Sequence, residues 1–175
     1  IIPASQLAPA LDSFAQTFDV LDIDGTRGFR YSTVYFDDEE LRGYYDHHQR
    51  RRKRLKARIR SYVDAGLHYL EVKLNDRRST TLKKRLRLGA ATSQLDDEAL
   101  AFIDNCHREV YEEPFRKNLH GAIHIQYRRY TLVAKDGGER MTMDTGMTFT
   151  AAGVTASPLD DIFIIETKSA RGNGI

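Results

Sequence analysis

The sequence predicts an α+β domain built on an antiparallel sheet that is closed or nearly closed. Three observations point there. Seven segments rich in β-branched, aromatic or alternating residues follow one another through short turn signals. Three segments with helical spacing sit at the joints between them. The 175 residues amount to about one domain, and 41% hydrophobic content is enough for a core.

Taken in order, residues 3–18 read as a helix. Pro3 and Ser5 suit its start, and Leu7, Leu11, Phe14 and Phe18 recur at helical spacing. A turn at Asp22 to Gly28 leads to the aromatic and β-branched run Phe29 to Phe36, the first strand. Asp37 suits the N-cap of a short helix reaching about Gln49, with Leu41, Tyr44 and Tyr45 on one side. Lys53 to Val63 is the second strand. Asp64-Ala65-Gly66 turns into the third, Leu67 to Leu74, and Thr80 to Leu88 is the fourth. Asp96 to Glu113 is a helix whose buried stripe is Leu95, Ala99, Phe102, Ile103, Cys106 and Val110. Ala122 to Val133 turns through Asp136-Gly137-Gly138 into Glu139 to Phe149, and Leu159 to Thr167 is the last strand.

Net charge is only +2, because 27 basic residues meet 25 acidic ones. That excludes a globally basic nucleic-acid coat and makes any positive patch local. The single cysteine, Cys106, excludes an internal disulfide framework and a Cys-based zinc site, and its place on the apolar stripe reads as core. No apolar run approaches a membrane span, and Ile1 to Ala10 lacks the order of a signal peptide. A cytoplasmic location is the expectation. The chain has no initiator Met and ends at Gly172-Asn173-Gly174-Ile175, so it is expected to be a fragment cut at both ends.

The positive charge is concentrated between Arg50 and Arg60, where eight of eleven residues are Lys or Arg. The second half of the run alternates. With a period of two, Lys56, Arg58 and Arg60 share one strand face, and Leu55, Ala57 and Ile59 share the other. A row of cations backed onto a core calls for a compensating anion. The pattern recurs: Glu71 and Lys73; Lys83, Arg85 and Arg87; Tyr127 and Arg129; Arg140, Thr142 and Asp144; Glu166 and Lys168. An ordinary sheet with one wet face also alternates. Here Arg dominates, and Arg suits bidentate phosphate contact, while carboxylates among the cations suit a hard divalent ion on the same phosphates. A closed barrel with such an interior would be a polyphosphate-binding tunnel.

Tyr35-Phe36-Asp37, Lys56 to Tyr62, Leu70-Glu71-Val72-Lys73, Tyr127 to Tyr130, Arg140 to Thr145 and Ile165 to Lys168 resemble, in order, the motifs of the VTC domain. This is the polyphosphate polymerase domain of the CYTH or triphosphate tunnel metalloenzyme superfamily. The resemblance covers about residues 29–168. It implies one tunnel domain over residues 1–175, an eight-stranded antiparallel barrel that binds ATP, polyphosphate and Mn²⁺ or Mg²⁺ and transfers the γ-phosphate of ATP onto a polyphosphate chain. By motif position it implies that Arg58, Arg60, Lys73, Arg129 and Arg140 contact substrate phosphates. Lys56 and Lys168 are further phosphate candidates. Glu166 matches the metal-binding glutamate. Two departures are noted: the family's first, Glu-x-Lys-type strand would lie before Ile1, and a basic segment would lie beyond Ile175.

Several residues carry two readings. Glu71 fits a metal ligand, or a partner for Lys73 or an arginine. Asp144 fits better as an orienter of arginines than as a ligand, and Asp37 as a helix cap. Salt bridging to a neighbouring carboxylate is the second reading for Lys168. His47 and His48 read as polar surface, and Arg50 to Arg54 as a solvated entrance that also fits an RNA-binding or nuclear-localisation tract; nucleic acid is not the expected partner. A membrane-protein partner is an expectation for the parent protein. The alternatives to polymerisation are hydrolysis of inorganic or thiamine triphosphate, cyclisation of ATP, and non-catalytic binding of polyphosphate or inositol polyphosphates.

Overall fold

The structure, a computed structural model, describes residues 1–75, 81–159 and 161–169. Among the described residues, ten strands and three α-helices follow in the order β1 (Ile2–Pro3), α1 (Leu7–Phe14), β2 (Phe18–Val20), β3 (Gly28–Asp37), α2 (Arg42–His48), β4 (Arg54–Tyr62), β5 (Leu67–Asn75), β6 (Thr81–Leu88), α3 (Asp97–Tyr111), β7 (His120–Ala134), β8 (Glu139–Ala151), β9 (Val154–Ala156) and β10 (Ile162–Ser169). All seven predicted strands are present; Thr80, the expected start of the fourth, lies outside the described residues. The three additional strands, β1, β2 and β9, are two or three residues long, too short to show a period.

The first helix is shorter than predicted. The chain is helical from just after Pro3, as a 3-10 turn over Ala4–Gln6, and the α-helix proper starts at Leu7, which keeps Pro9, without an amide hydrogen, in its first turn. Phe18 leaves the helix because β2 pairs with β7, placing Phe18 opposite Ala134. The second helix begins later than Asp37, since Leu41 takes a left-handed conformation just before it.

The chain forms two compact units. The first comprises Ile1–Tyr31, Gln126–Phe149 and the described part of Thr155–Ile175; the second comprises Ser32–Ile125 and Thr150–Val154. In the first, β10 pairs antiparallel with β1 and β8, and β2 with β7. Its core packs Leu7, Leu11 and Phe14 of α1 against Leu132, Met141 and Met143.

In the second unit β4, β5 and β6 pair antiparallel in sequence order, with β3 on the other side of β4. Helix α3 covers one face of this sheet. Its Ala99, Ile103 and Cys106 pack with Ile59, Leu70, Val72 and Leu74, all nearly fully buried. Each such aliphatic side chain contributes about 1.5–3 kcal/mol on burial. The predicted stripe is on this face; Leu95, Phe102 and Val110 pack at its margin. Asp96 caps the helix by accepting from the Ala99 amide at 2.8 Å, and Glu112 in a left-handed conformation ends it. Gly66, with φ +61°, makes the tight turn from β4 to β5.

The strand order ends at β1 and at β6, and among the described residues these do not pair. The expected antiparallel sheet is thus present but, among the described residues, not closed into the expected barrel. Closure requires pairing between strands distant in sequence, and alternation within a strand does not report it. No helix among the described residues is long and apolar enough to cross a membrane.

Candidate functional site

The face of the second unit opposite α3 carries the predicted cations. Register turns them into rows. Lys56 stands opposite Lys73, and Lys73 opposite Lys83. Two residues along, about 7 Å away, Arg58 stands opposite Glu71 and Glu71 opposite Arg85. The next row is Arg60, Tyr69 and Arg87. At the other end, beyond the lysines, Arg54 and Asn75 are opposed, with Thr81 next to Asn75. Lys83, Arg85 and Arg87 show the same period of two as Lys56, Arg58 and Arg60, but only the β5–β6 register places them on the same face.

Glu71 is the carboxylate at the centre of these rows, and only 2% of its side chain is exposed. Arg58 approaches Oε2 through Nε at 2.7 Å and Nη2 at 2.6 Å. Lys83 and Arg85 lie 3.0 and 2.9 Å from Oε1 as ion pairs, without a well-aligned hydrogen bond there. Burial alone would raise the Glu71 pKa. The charge of Arg58 and the contacts from Lys83 and Arg58 outweigh burial and hold it at about 2. Of its two sequence readings, the geometry displays the pairing with arginine; Lys73 is not the partner.

Arg58 is fixed from a second side by Tyr35, whose hydroxyl accepts from Nη1 at 2.9 Å. Burial lowers the Arg58 pKa, but Tyr35 and Glu71 outweigh it and the net direction is up. Lys56 lies over the Tyr35 ring at 5.7 Å. Its pKa is lowered, first by burial and then by the charges of Arg58, Lys73 and Arg54. Arg60 is buried, with Nε 3.3 Å from Thr33 Oγ1. Three lysines thus sit side by side on adjacent strands. Among the described residues only Lys83 has a carboxylate, and that carboxylate is shared with two arginines. Like charges directly opposite repel.

In the first unit, Arg129 donates to both oxygens of Asp144 at 2.6 Å. Its guanidinium also lies 5.2 and 5.3 Å from the rings of Tyr31 and Tyr127, which stack on each other. Burial opposes the charge, but the Asp144 hydrogen bonds and the neighbouring tyrosines prevail and raise the Arg129 pKa. Asp144 therefore orients an arginine. Arg140 stands opposite Lys168, and Thr142 opposite Glu166. Glu166 and Lys168 are exposed, with Oε1 and Nζ 3.4 Å apart. The Thr142 hydroxyl, opposite Glu166, is buried and has no hydrogen-bond partner among the described residues.

Among the described residues no three His, Cys, Asp or Glu side chains gather as a metal cage. In the first unit Glu166 offers an exposed carboxylate on β10. One carboxylate completed by phosphate oxygens fits Mg²⁺ or Mn²⁺, which are commonly held through one or two carboxylates and the substrate. Glu71 fits a metal less well, since three cations occupy its oxygens.

The sequence matches the family model of the VTC domain over residues 1–172. The chain belongs to the VTC domain family. No curated protein matches it. The match spans both units, so all six motifs of this VTC domain fall within it.

Proposed function

We propose that this VTC domain is a metal-dependent phosphotransferase that lengthens polyphosphate at the expense of ATP. The observation that supports this most is the Lys56–Lys73–Lys83 row, flanked by Arg58 and Arg85 whose heads Glu71 holds in place. Such a surface is pre-charged for a linear, multiply anionic ligand. Family membership adds the polyphosphate context.

In the proposed reaction a terminal oxygen of the polyphosphate chain attacks the γ-phosphorus of ATP. The bond from that phosphorus to the β–γ bridging oxygen breaks, the chain grows by one phosphate, and ADP leaves with the bond's electrons. No protein nucleophile is required, since positioning and neutralisation of phosphate charge carry most of the catalysis. Arg58, Arg60, Lys73, Arg129 and Arg140 would serve that role, with Lys56 and Lys168 as further phosphate contacts. Glu166 would hold Mn²⁺ or Mg²⁺, which when bound neutralises phosphate oxygens. The tunnel form belongs to this proposal, because the described sheet is open.

The test is to incubate the protein with ATP and Mn²⁺ and to run the product on a polyphosphate gel. A ladder of polymer with matching ADP is expected. Orthophosphate without polymer would replace transfer by hydrolysis, and no turnover with tight polyphosphate binding would replace it by a binding module.

A further inference from the structure

The His47–His48 pair and the arginines Arg50 to Arg52 lie outside the rows assigned to phosphoryl transfer, yet they are not scattered over the surface. Together with the end row Arg54, Asn75 and Thr81 they line an open pocket of about 610 Å³.

The walls are held from several sides. Asp37 accepts from the amides of Gly43 and Tyr44 at 2.8 Å, which anchors the start of α2 and so places His47 and His48 at its far end. Arg50 takes a left-handed conformation at φ +54°, turning the chain from α2 toward β4. The Tyr111 hydroxyl donates to the Asn75 carbonyl at 2.6 Å and accepts from the Arg54 amide at 3.1 Å, tying β4 and β5 together. Thr81 donates to Asn75 Oδ1 at 2.9 Å.

Among the described residues the lining is cationic and polar, with no aliphatic, Phe or Tyr side chain. That favours phosphate over a base or an acyl chain. Arg51 is neutralised by Asp46 at 3.3 Å, whereas among the described residues Arg50, Arg52 and Arg54 have no carboxylate partner. The pocket also continues the lysine row, since Arg54 lies two residues from Lys56 on the same strand face, about 7 Å away. From Arg60 to Arg54 the cationic rows run for about 20 Å, more than twice the length of three linked phosphates.

We propose that this pocket is a second phosphate site, which grips the part of a linear phosphate polymer lying past the lysine row and makes the domain favour long chains over short ones. The inference rests on the phosphate-chain reading of the face. His47 lines the same pocket, and burial first, then the charges of Lys56, Arg54 and Lys73, lower its pKa.

The test is Arg50→Gln with Arg52→Gln, titrated by calorimetry with long-chain polyphosphate, with tripolyphosphate and with single-stranded RNA at several salt concentrations. Unchanged melting temperature serves as the folding control. The double variant is expected to bind the long chain about tenfold more weakly, the sum of two exposed charge contacts. Its salt slope should fall by about 1 to 2, while tripolyphosphate affinity stays within about twofold. Equal losses for both phosphates, or none, would overturn the second site. So would a loss confined to RNA. If the unmodified protein binds tripolyphosphate but gains nothing from chain length, this inference fails and the phosphate reading of the face stands. If it binds neither phosphate, both fall.

Discussion

Glu71→Gln separates the role of a charge that organises arginines from that of a metal ligand. The Glu71 pKa falls from 4.5 to about 2 on folding, equivalent to about 3 kcal/mol of preference for the charged form. Lys83 and Arg85 are 42% and 47% exposed and can turn to water when the carboxylate is lost, so the cost is discounted to about 2 kcal/mol. Because the folded pKa lies below the unfolded one, this stability is fully present above about pH 4.5 and is lost as pH falls toward 2. Urea denaturation of both proteins should therefore show a gap of about 2 kcal/mol at pH 7 that shrinks progressively below pH 4.5. Removing a negative charge also strengthens the field at the lysine row. At about 8 Å and intermediate screening the gain is on the order of 1 kcal/mol, or about fivefold in metal-free tripolyphosphate affinity. The reasoning is refuted if the variant binds tripolyphosphate more weakly, or if the stability gap at pH 7 is below about 0.5 kcal/mol.

Other outcomes follow from the same contacts. Glu166→Gln should abolish Mn²⁺-dependent turnover on the polyphosphate gel while leaving metal-free tripolyphosphate binding within about twofold. Asp144→Asn removes the charged partner of Arg129 in a largely buried site, and thermal unfolding should show a loss of about 2–3 kcal/mol. Gly43→Ala would bring a Cβ to 2.9 Å from Asp37 Oδ1. Loosening that cap should cost about 1 kcal/mol in urea denaturation and weaken long-chain polyphosphate more than tripolyphosphate.

The period-two pattern made the cationic face of β4 legible, because a strand face follows from residue parity alone. It could not show that Arg58 meets Glu71 while Lys73 meets Lys56 and Lys83. That depends on register, which the β4–β5 and β5–β6 turns set jointly with Leu70, Val72 and Leu74 packing under α3. The stripe of α3 was legible through Ala99, Ile103 and Cys106. The helical start after Pro3 was legible, but not that its first turn is 3-10, nor that Phe18 leaves the helix to pair with β7. Strands β1, β2 and β9 exist through their partners alone. The Tyr31–Tyr127 stack beneath Arg129 joins residues nearly a hundred positions apart, and no local signal announces it. The Arg50 to Arg54 run, read as a solvated entrance, acquired its pocket only when Asp37 and Gly43 fixed α2 beside it.

The central claim is that phosphate chains lie on the β4–β5–β6 face. A crystal structure grown with tripolyphosphate tests it most directly. The account predicts phosphate density within hydrogen-bond distance of Lys56, Lys73 and Lys83, with Arg58 and Arg85 still on Glu71. Density placed elsewhere on the protein, with that lysine row empty, would contradict it.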